Sequence, residues 1–201
     1  MRARAVPLVL IALLLSGCAT AASPSSAGSD TPDATAPADP SATPTASRPP
    51  ADAVDPKHPG TWIVTQDGMG PFVLGMPFAN AITAVPGLAD ACTHAYSNAS
   101  STLWIASWQN PGSLDEATLY GYGRAVPATP HTPDGLGIGS TVADVLKAYP
   151  GAVHDFKNHD YLVVGHIVFG FRGDSSGDVL PGALVDSIGV ATNGPEYEYC
   201  G

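Results

Sequence analysis

Two stretches of the chain carry the same helical pattern of apolar positions. In the first stretch, apolar side chains recur at Phe78, Ala81, Ile82 and Val85, and in the second they recur at positions 142, 145, 146 and 149. The spacing i, i+3, i+4, i+7 places such side chains on one face of an α-helix. The pattern predicts two short helices, each with one face against a core.

The two helical stretches belong to a longer internal repeat. Residues 74–87 align with residues 138–151 without gaps, and both copies place glycine before the helix and Pro-Gly after it. Pro77 suits the first turn of one helix, and Ser140 or Thr141 can cap the other. Short runs rich in β-branched and aromatic residues follow each helix, at 102–109 and 117–122 and then at 161–171 and 183–190. We expect strands there, with a kink at Gly165.

Each copy is thus predicted to be one short helix on a small antiparallel sheet, which gives an α+β fold class with two tandem repeats. Residues 61–65 are a candidate further edge strand. Because neighbours in a strand point to opposite sides, Leu103 and Ile105 are expected to pack under the first helix at Phe78 and Ile82.

Four aromatic side chains are candidates for a binding surface on the other side of these strands. Trp104 and Trp108 share the side opposite to Leu103, and Tyr120 and Tyr122 belong to the next strand. Large exposed aromatic residues are typical anchors of protein interfaces. The alternative is that this side packs on the second copy or is covered by a loop.

The first residues resemble the signal of a bacterial lipoprotein. Two arginines precede an apolar run of about ten residues, which ends in Leu15-Ser16-Gly17-Cys18. This run is too short to span a bilayer, for which about 20 apolar residues are needed, and it fits the apolar core of an export signal. The resemblance implies cleavage after residue 17, lipidation of Cys18, for example with palmitate, and anchoring on the extracytoplasmic face of the cell membrane.

Composition divides the rest of the chain. Residues 18–55 consist almost entirely of Ala, Ser, Thr, Pro and Asp, which predicts a disordered tether. The two α+β repeats are then expected at 56–130 and 131–201. That region holds 13 acidic against five basic residues, a net charge of −8, and such a surface repels phosphate backbones. We expect no nucleic-acid partner.

Two cysteines remain if Cys18 is lipidated. An even pair in an oxidising compartment favours a disulfide between Cys92 and Cys200. A redox or metal-binding thiol pair is the alternative, but the spacing of such sites is absent.

The sequence contains few candidates for a metal site or a catalytic site. His154-Asp155 and His159-Asp160 are a candidate metal pair. Their segment precedes a predicted strand and is expected to be a solvated loop, and the sequence offers no third ligand nearby. No nucleophile has a base at a defined spacing. We therefore predict no catalytic residues, no metal site, no cofactor and no enzyme activity.

The glycine turn, short helix and antiparallel sheet, present twice, resemble the tandem repeat of the β-lactamase inhibitor protein class. The resemblance is carried mainly by Leu74-Gly75-Met76 and by residues 134–139. It implies a concave, aromatic-rich sheet that grips a target protein without catalysis. That class bridges cysteines within each repeat, whereas here each copy contributes one cysteine.

Two functional hypotheses follow. The first is a membrane-anchored lipoprotein that acts as a non-catalytic protein-binding module, in the manner of an inhibitor, with a secreted or envelope protein as its partner. The alternative is a lipoprotein of cell-envelope assembly or of small-ligand binding.

Overall fold

A computed structural model gives the fold of residues 54–121, 128–156, 159–172, 178–195 and 199–200. These residues belong to one compact unit, Pro44–Gly201. The predicted signal at 1–17, Cys18, nearly all of the predicted tether and Tyr122 lie outside the described residues.

Both predicted helices are confirmed. Helix α1 spans Phe78–Ala84 and helix α2 spans Val142–Ala148. Helix α2 begins with a capping box, in which Thr141 Oγ1 accepts a hydrogen bond from the backbone N–H of Asp144 and the Asp144 side chain accepts one from that of Thr141. Helix α1 begins at Pro77 without a side-chain cap. The helices stop just before the two Pro-Gly pairs, because proline disfavours a helical residue before it.

The described residues form eleven strands in two antiparallel sheets. The small sheet has the order β1-β2-β3 and consists of β1 (Val64–Thr65), β2 (Gly68–Met69) and β3 (Phe72–Val73). The large sheet contains β4 (Leu88–Cys92), β5 (Ala95–Asn98), β6 (Leu103–Ala106), β7 (Glu116–Tyr120), β8 (Val153–Phe156), β9 (Asp160–Val164), β10 (Ile167–Phe171) and β11 (Val185–Ala191). The α+β fold class is therefore confirmed.

The large sheet has the order β4-β5-β6-β7-β11-β10-β9-β8. Each helix is followed by four strands that each pair with the next, and the last strand of each group, β7 or β11, lies at the centre. There Tyr120 pairs with Ser187 and Glu116 pairs with Ala191. The strands after α1 and those after α2 thus form one continuous sheet.

The structure changes several strand boundaries. The single kinked strand predicted at 161–171 is two strands, β9 and β10, joined by a tight turn at Gly165 and His166. Gly165 has φ = +60°, a conformation that costs glycine little and reverses the chain. Strands β4, β5 and β8 were not predicted, because their short sequences lack a run of β-branched residues. The candidate edge strand at 61–65 reduces to β1, which belongs to the small sheet.

The main core lies between one face of the large sheet, the two helices and the small sheet. Leu103 and Ile105 are buried in it, with Phe78 and Ile82 packed against the same cluster, as predicted. From the other half of the sheet, Phe169 and Ile188 enter this core together with the buried valines of α2. Among the described residues, neither helix has the length and apolar character needed to cross a membrane.

Candidate functional site

The opposite face of the large sheet, here called the open face, carries no helix among the described residues. Register places several rows of side chains there, two of which border the central pocket. One row runs from Trp104 on β6 through Thr118 and Gly189 to Val168 on β10. The other row contains Tyr120, Ser187, Gly170 and Tyr161, from β7 to β9. The centre of the open face thus holds small residues, and aromatic residues lie to either side of them.

Trp104 and Tyr120 are partly buried on the open face, together with a tyrosine from the end of the chain. The ring of Tyr199 stacks on Trp104, with ring centroids 4.8 Å apart and an interplanar angle of 18°. Of the two alternatives considered for this side, coverage by a chain segment therefore applies at Trp104, and the central residues of this face are also buried, with Thr118 4% and Tyr161 2% exposed. Tyr122, the fourth predicted aromatic residue, lies outside the described residues.

Trp108 lies beyond the end of β6. Its ring contacts His94, with centroids 5.9 Å apart. Its indole Nε1 is buried and has no hydrogen-bond partner among the described residues. Trp108 packs beside Cys92 and Tyr199, in the same cluster as Trp104 and Tyr120.

Cys92 and Cys200 lie at disulfide distance, as predicted, with sulfurs 2.09 Å and Cα atoms 5.6 Å apart. The bond joins the last residue of edge strand β4 to the end of the chain, 108 positions later. Tyr199 precedes Cys200, so the disulfide holds the tyrosine ring over the open face.

A buried polar network lies below Tyr199. The Tyr199 hydroxyl donates a short hydrogen bond to the Glu116 carboxylate, and Thr118 Oγ1 donates a second one of 2.9 Å. Glu116 and Thr118 are 2% and 4% exposed. Burial, and then the charge of Glu116, raise the pKa of Tyr199 well above its usual value. Tyr199 therefore remains a neutral hydrogen-bond donor.

A pocket of about 170 Å³ opens in the second row of the open face. It is lined by Trp104, Tyr120, His159, Tyr161, Gly170, Arg172, Asp186, Ser187 and Tyr199. At its floor, a Cβ atom on Gly170 would lie 2.1 Å from Ser187 Oγ and 3.1 Å from the Tyr161 ring. A larger residue at this position would force Ser187 Oγ and the Tyr161 ring to shift.

A β-bulge supplies the carboxylate of the pocket. Gly170 pairs with Ser187 and the next residue, Phe171, pairs with Val185, so Asp186 is the extra residue. Bulges of this kind re-aim a side chain. The carboxylate of Asp186 is 27% exposed and lies 3.4 Å from Nε of Arg172, which is 72% exposed. Burial raises the pKa of Asp186, although Arg172 and His159 act in the opposite direction.

Two of the four residues considered as a metal pair, His154 and Asp160, contact each other. His154 and Asp155 lie on strand β8 and not in a solvated loop, which corrects the sequence-based expectation. His154 Nε2 lies 2.8 Å from Oδ1 of Asp160, which is only 3% exposed. In the part of the chain that the structure describes, no three His, Cys, Asp or Glu side chains are grouped as metal ligands.

Sequence analysis missed Tyr161, Arg172, Asp186 and Tyr199 as members of one site. Tyr161 falls in a predicted strand, so its alternation with apolar neighbours was available as a signal. Asp186 was hidden because a bulge breaks the alternation on which such predictions depend. No local pattern in the sequence predicts that the Tyr199 ring stacks on Trp104 of β6.

No protein-family model, no curated protein and no solved structure matches this chain.

Proposed function

We propose that this chain is a lipoprotein, anchored by Cys18 on the extracytoplasmic face of the cell membrane, whose folded domain binds another protein without catalysing a reaction. The anchor is supported by Leu15-Ser16-Gly17-Cys18 after a short apolar run. The Cys92–Cys200 pair at disulfide distance supports an oxidising compartment.

One observation carries the binding function. Aromatic side chains from both halves of the continuous sheet meet around a pocket on the open face: Trp104 and Tyr120, both partly buried, come from one half, and Tyr161, 2% exposed, comes from the other. Tyrosine and tryptophan offer large contact areas and are enriched at the energetic centres of interfaces. The open face therefore has the composition of a protein-binding surface.

We also propose that the domain arose by duplication and is related to the β-lactamase inhibitor protein class. In support, both copies of the repeated sequence form a seven-residue helix followed by four strands. The groups meet symmetrically at β7 and β11. A concave sheet that grips a target is what this relationship implies for the open face.

A second candidate is a lipoprotein that binds a small ligand in this pocket. Its volume of about 170 Å³ is below the usual range of about 300–1,000 Å³ for sites that bury drug-sized ligands. The pocket therefore suits one side chain of a partner better than a whole metabolite.

Metabolic labelling with palmitate tests the anchor. We expect the wild-type protein to incorporate the label and to fractionate with membranes, and Cys18→Ser to lose both properties. The double variant Cys92→Ser, Cys200→Ser is the matched control and should be labelled like the wild type. Equal labelling of Cys18→Ser would overturn the anchor.

Affinity capture from the envelope fraction tests the binding surface. The double variant Trp104→Ala, Tyr120→Ala should lose a partner protein that the wild type retains. Phe156→Ala removes a ring that is 53% exposed and faces the other side of the sheet, so this control should retain the partner. Equal capture by the double variant would contradict a role for the open face.

A further inference from the structure

We propose that the pocket of the open face receives a basic side chain, lysine or arginine, from the partner protein. This inference rests on the proposed protein-binding function and names the chemistry that the partner presents. It follows from the carboxylate, the surrounding aromatic rings and the charge of the domain.

The pocket combines the two groups that recognise an organic cation. Asp186 places a carboxylate in its wall, and Trp104, Tyr120, Tyr161 and Tyr199 supply aromatic rings. A cation over an aromatic face is attracted by the ring quadrupole, and the attraction grows as water is excluded. The rings also accommodate the methylene groups that precede the charge in lysine and arginine.

The carboxylate of Asp186 is incompletely compensated. It is three-quarters covered, and its neighbours in the pocket include Arg172 and His159. Burial still outweighs both of them, since the pKa of Asp186 is raised. A basic side chain that entered the pocket would lower the free energy of this partly buried charge.

Arg172 does not block entry. Its side chain is 72% exposed and its Nε lies 3.4 Å from the carboxylate. Because the arginine side of this pair is exposed, solvent screens the interaction, and holding the long side chain in place costs entropy. An incoming basic side chain can therefore displace the guanidinium group into solvent.

The charge of the whole domain favours the same ligand. The region from residue 56 has a net charge of −8, which attracts a basic surface and accelerates encounter with it. An acidic or phosphorylated partner would be repelled at long range.

Titration of the full chain with blocked amino acids tests the proposal, with amide chemical shifts and tryptophan fluorescence as readouts. The probes are the Nα-acetyl methylamides of lysine, norleucine and glutamate. Lysine should bind about tenfold more tightly than norleucine, which has no ammonium group. Tenfold corresponds to about 1.4 kcal/mol.

Three variants assign the effect to the pocket. Asp186→Asn should weaken lysine binding to the norleucine level. Asp90→Asn makes the same charge change at an exposed position of β4 and should leave binding unchanged. Arg172→Gln removes the internal competitor and should strengthen lysine binding, a gain that unfolding cannot imitate.

The outcomes separate this inference from the proposed function. Equal binding of norleucine and lysine, tighter binding of glutamate, or no binding at all would each overturn the basic-side-chain proposal. The proposal would also be overturned if Asp186→Asn bound the lysine probe as tightly as the wild type does. None of these results bears on whether the Trp104→Ala, Tyr120→Ala variant captures the partner protein. That capture experiment tests the binding function separately.

Discussion

At the scale of single residues, Asp186 is a carboxylate held where water solvates it poorly. Such a group lowers the stability of the fold unless a ligand compensates its charge. Its place beside aromatic rings suggests a residue that serves binding at the expense of stability, a common property of binding sites.

Asp186→Asn should stabilise the free protein at neutral pH. Because the folded-state pKa is raised above 3.8, the folded protein binds the proton more tightly, and wild-type stability falls as pH rises through this interval. The advantage of the variant should therefore be complete above the folded pKa and vanish below pH 3.8. Urea unfolding at several pH values measures it, and an advantage that grew toward acidic pH would contradict the assignment.

Gly170→Ala should fill the floor of the pocket. The added methyl group would meet Ser187 and the Tyr161 ring, so we expect a loss of about 1–3 kcal/mol, typical of overpacking, together with weaker lysine binding. Gly182→Ala is the control, since no atom lies within 4 Å of the place its methyl group would take and its φ is not positive. Thermal unfolding of both variants checks this, and equal effects would argue against close packing at Gly170.

At the scale of elements, the two helices share an apolar stripe and differ at their starts. Helix α2 carries a capping box formed by Thr141 and Asp144, and helix α1 begins at Pro77 with no side-chain cap. The stability of α1 consequently depends more on its packing against β4 and β6.

Thr141→Ala should destabilise the protein by about 1 kcal/mol, the usual contribution of a threonine cap. Thr83→Ala on α1 is the matched control, since its hydroxyl only bonds back to carbonyls of its own helix and its loss should cost less than about 0.5 kcal/mol. Chemical denaturation compares the two, and equal losses would show that the capping box contributes nothing special.

At the scale of the whole molecule, one covalent bond connects the edge of the sheet to the end of the chain. The Cys92–Cys200 bond closes a loop with a sequence separation of 108 and holds Tyr199 on Trp104. It acts on the stability of the domain and on the shape of the open face together.

The double variant Cys92→Ser, Cys200→Ser should lose about 4–5 kcal/mol in free energy of unfolding, the chain-entropy value for a loop of about 100 residues. Tryptophan fluorescence should shift to longer wavelength, because Tyr199 no longer covers Trp104. Urea unfolding with and without reductant measures both effects. A reductant should change the wild type and leave the variant unaffected, and an unchanged wild type would contradict the prediction.

The sequence predicted the elements that depend on near neighbours. Helices α1 and α2 follow from an apolar stripe with stop signals at Pro86 and Pro150. The burial of Leu103 and Ile105 follows from strand alternation. The turn at Gly165 was predicted as a kink, because glycine occurs in bulges, bends and hairpin turns alike. Only the pairing of β9 with β10 shows that this glycine lies in a hairpin turn.

The amino-acid sequence by itself thus determined the two helices and the α+β class, since periodicity and capping depend on near neighbours. It predicted the Cys92–Cys200 pair from the cysteine count, on the expectation that Cys18 carries a lipid. The tertiary structure alone decided that β7 pairs with β11, that a bulge turns Asp186 into the pocket and that Tyr199 lies on Trp104. These contacts join residues far apart in the chain. Their free energy comes from burial and pairing across the whole sheet, which no short stretch of sequence encodes.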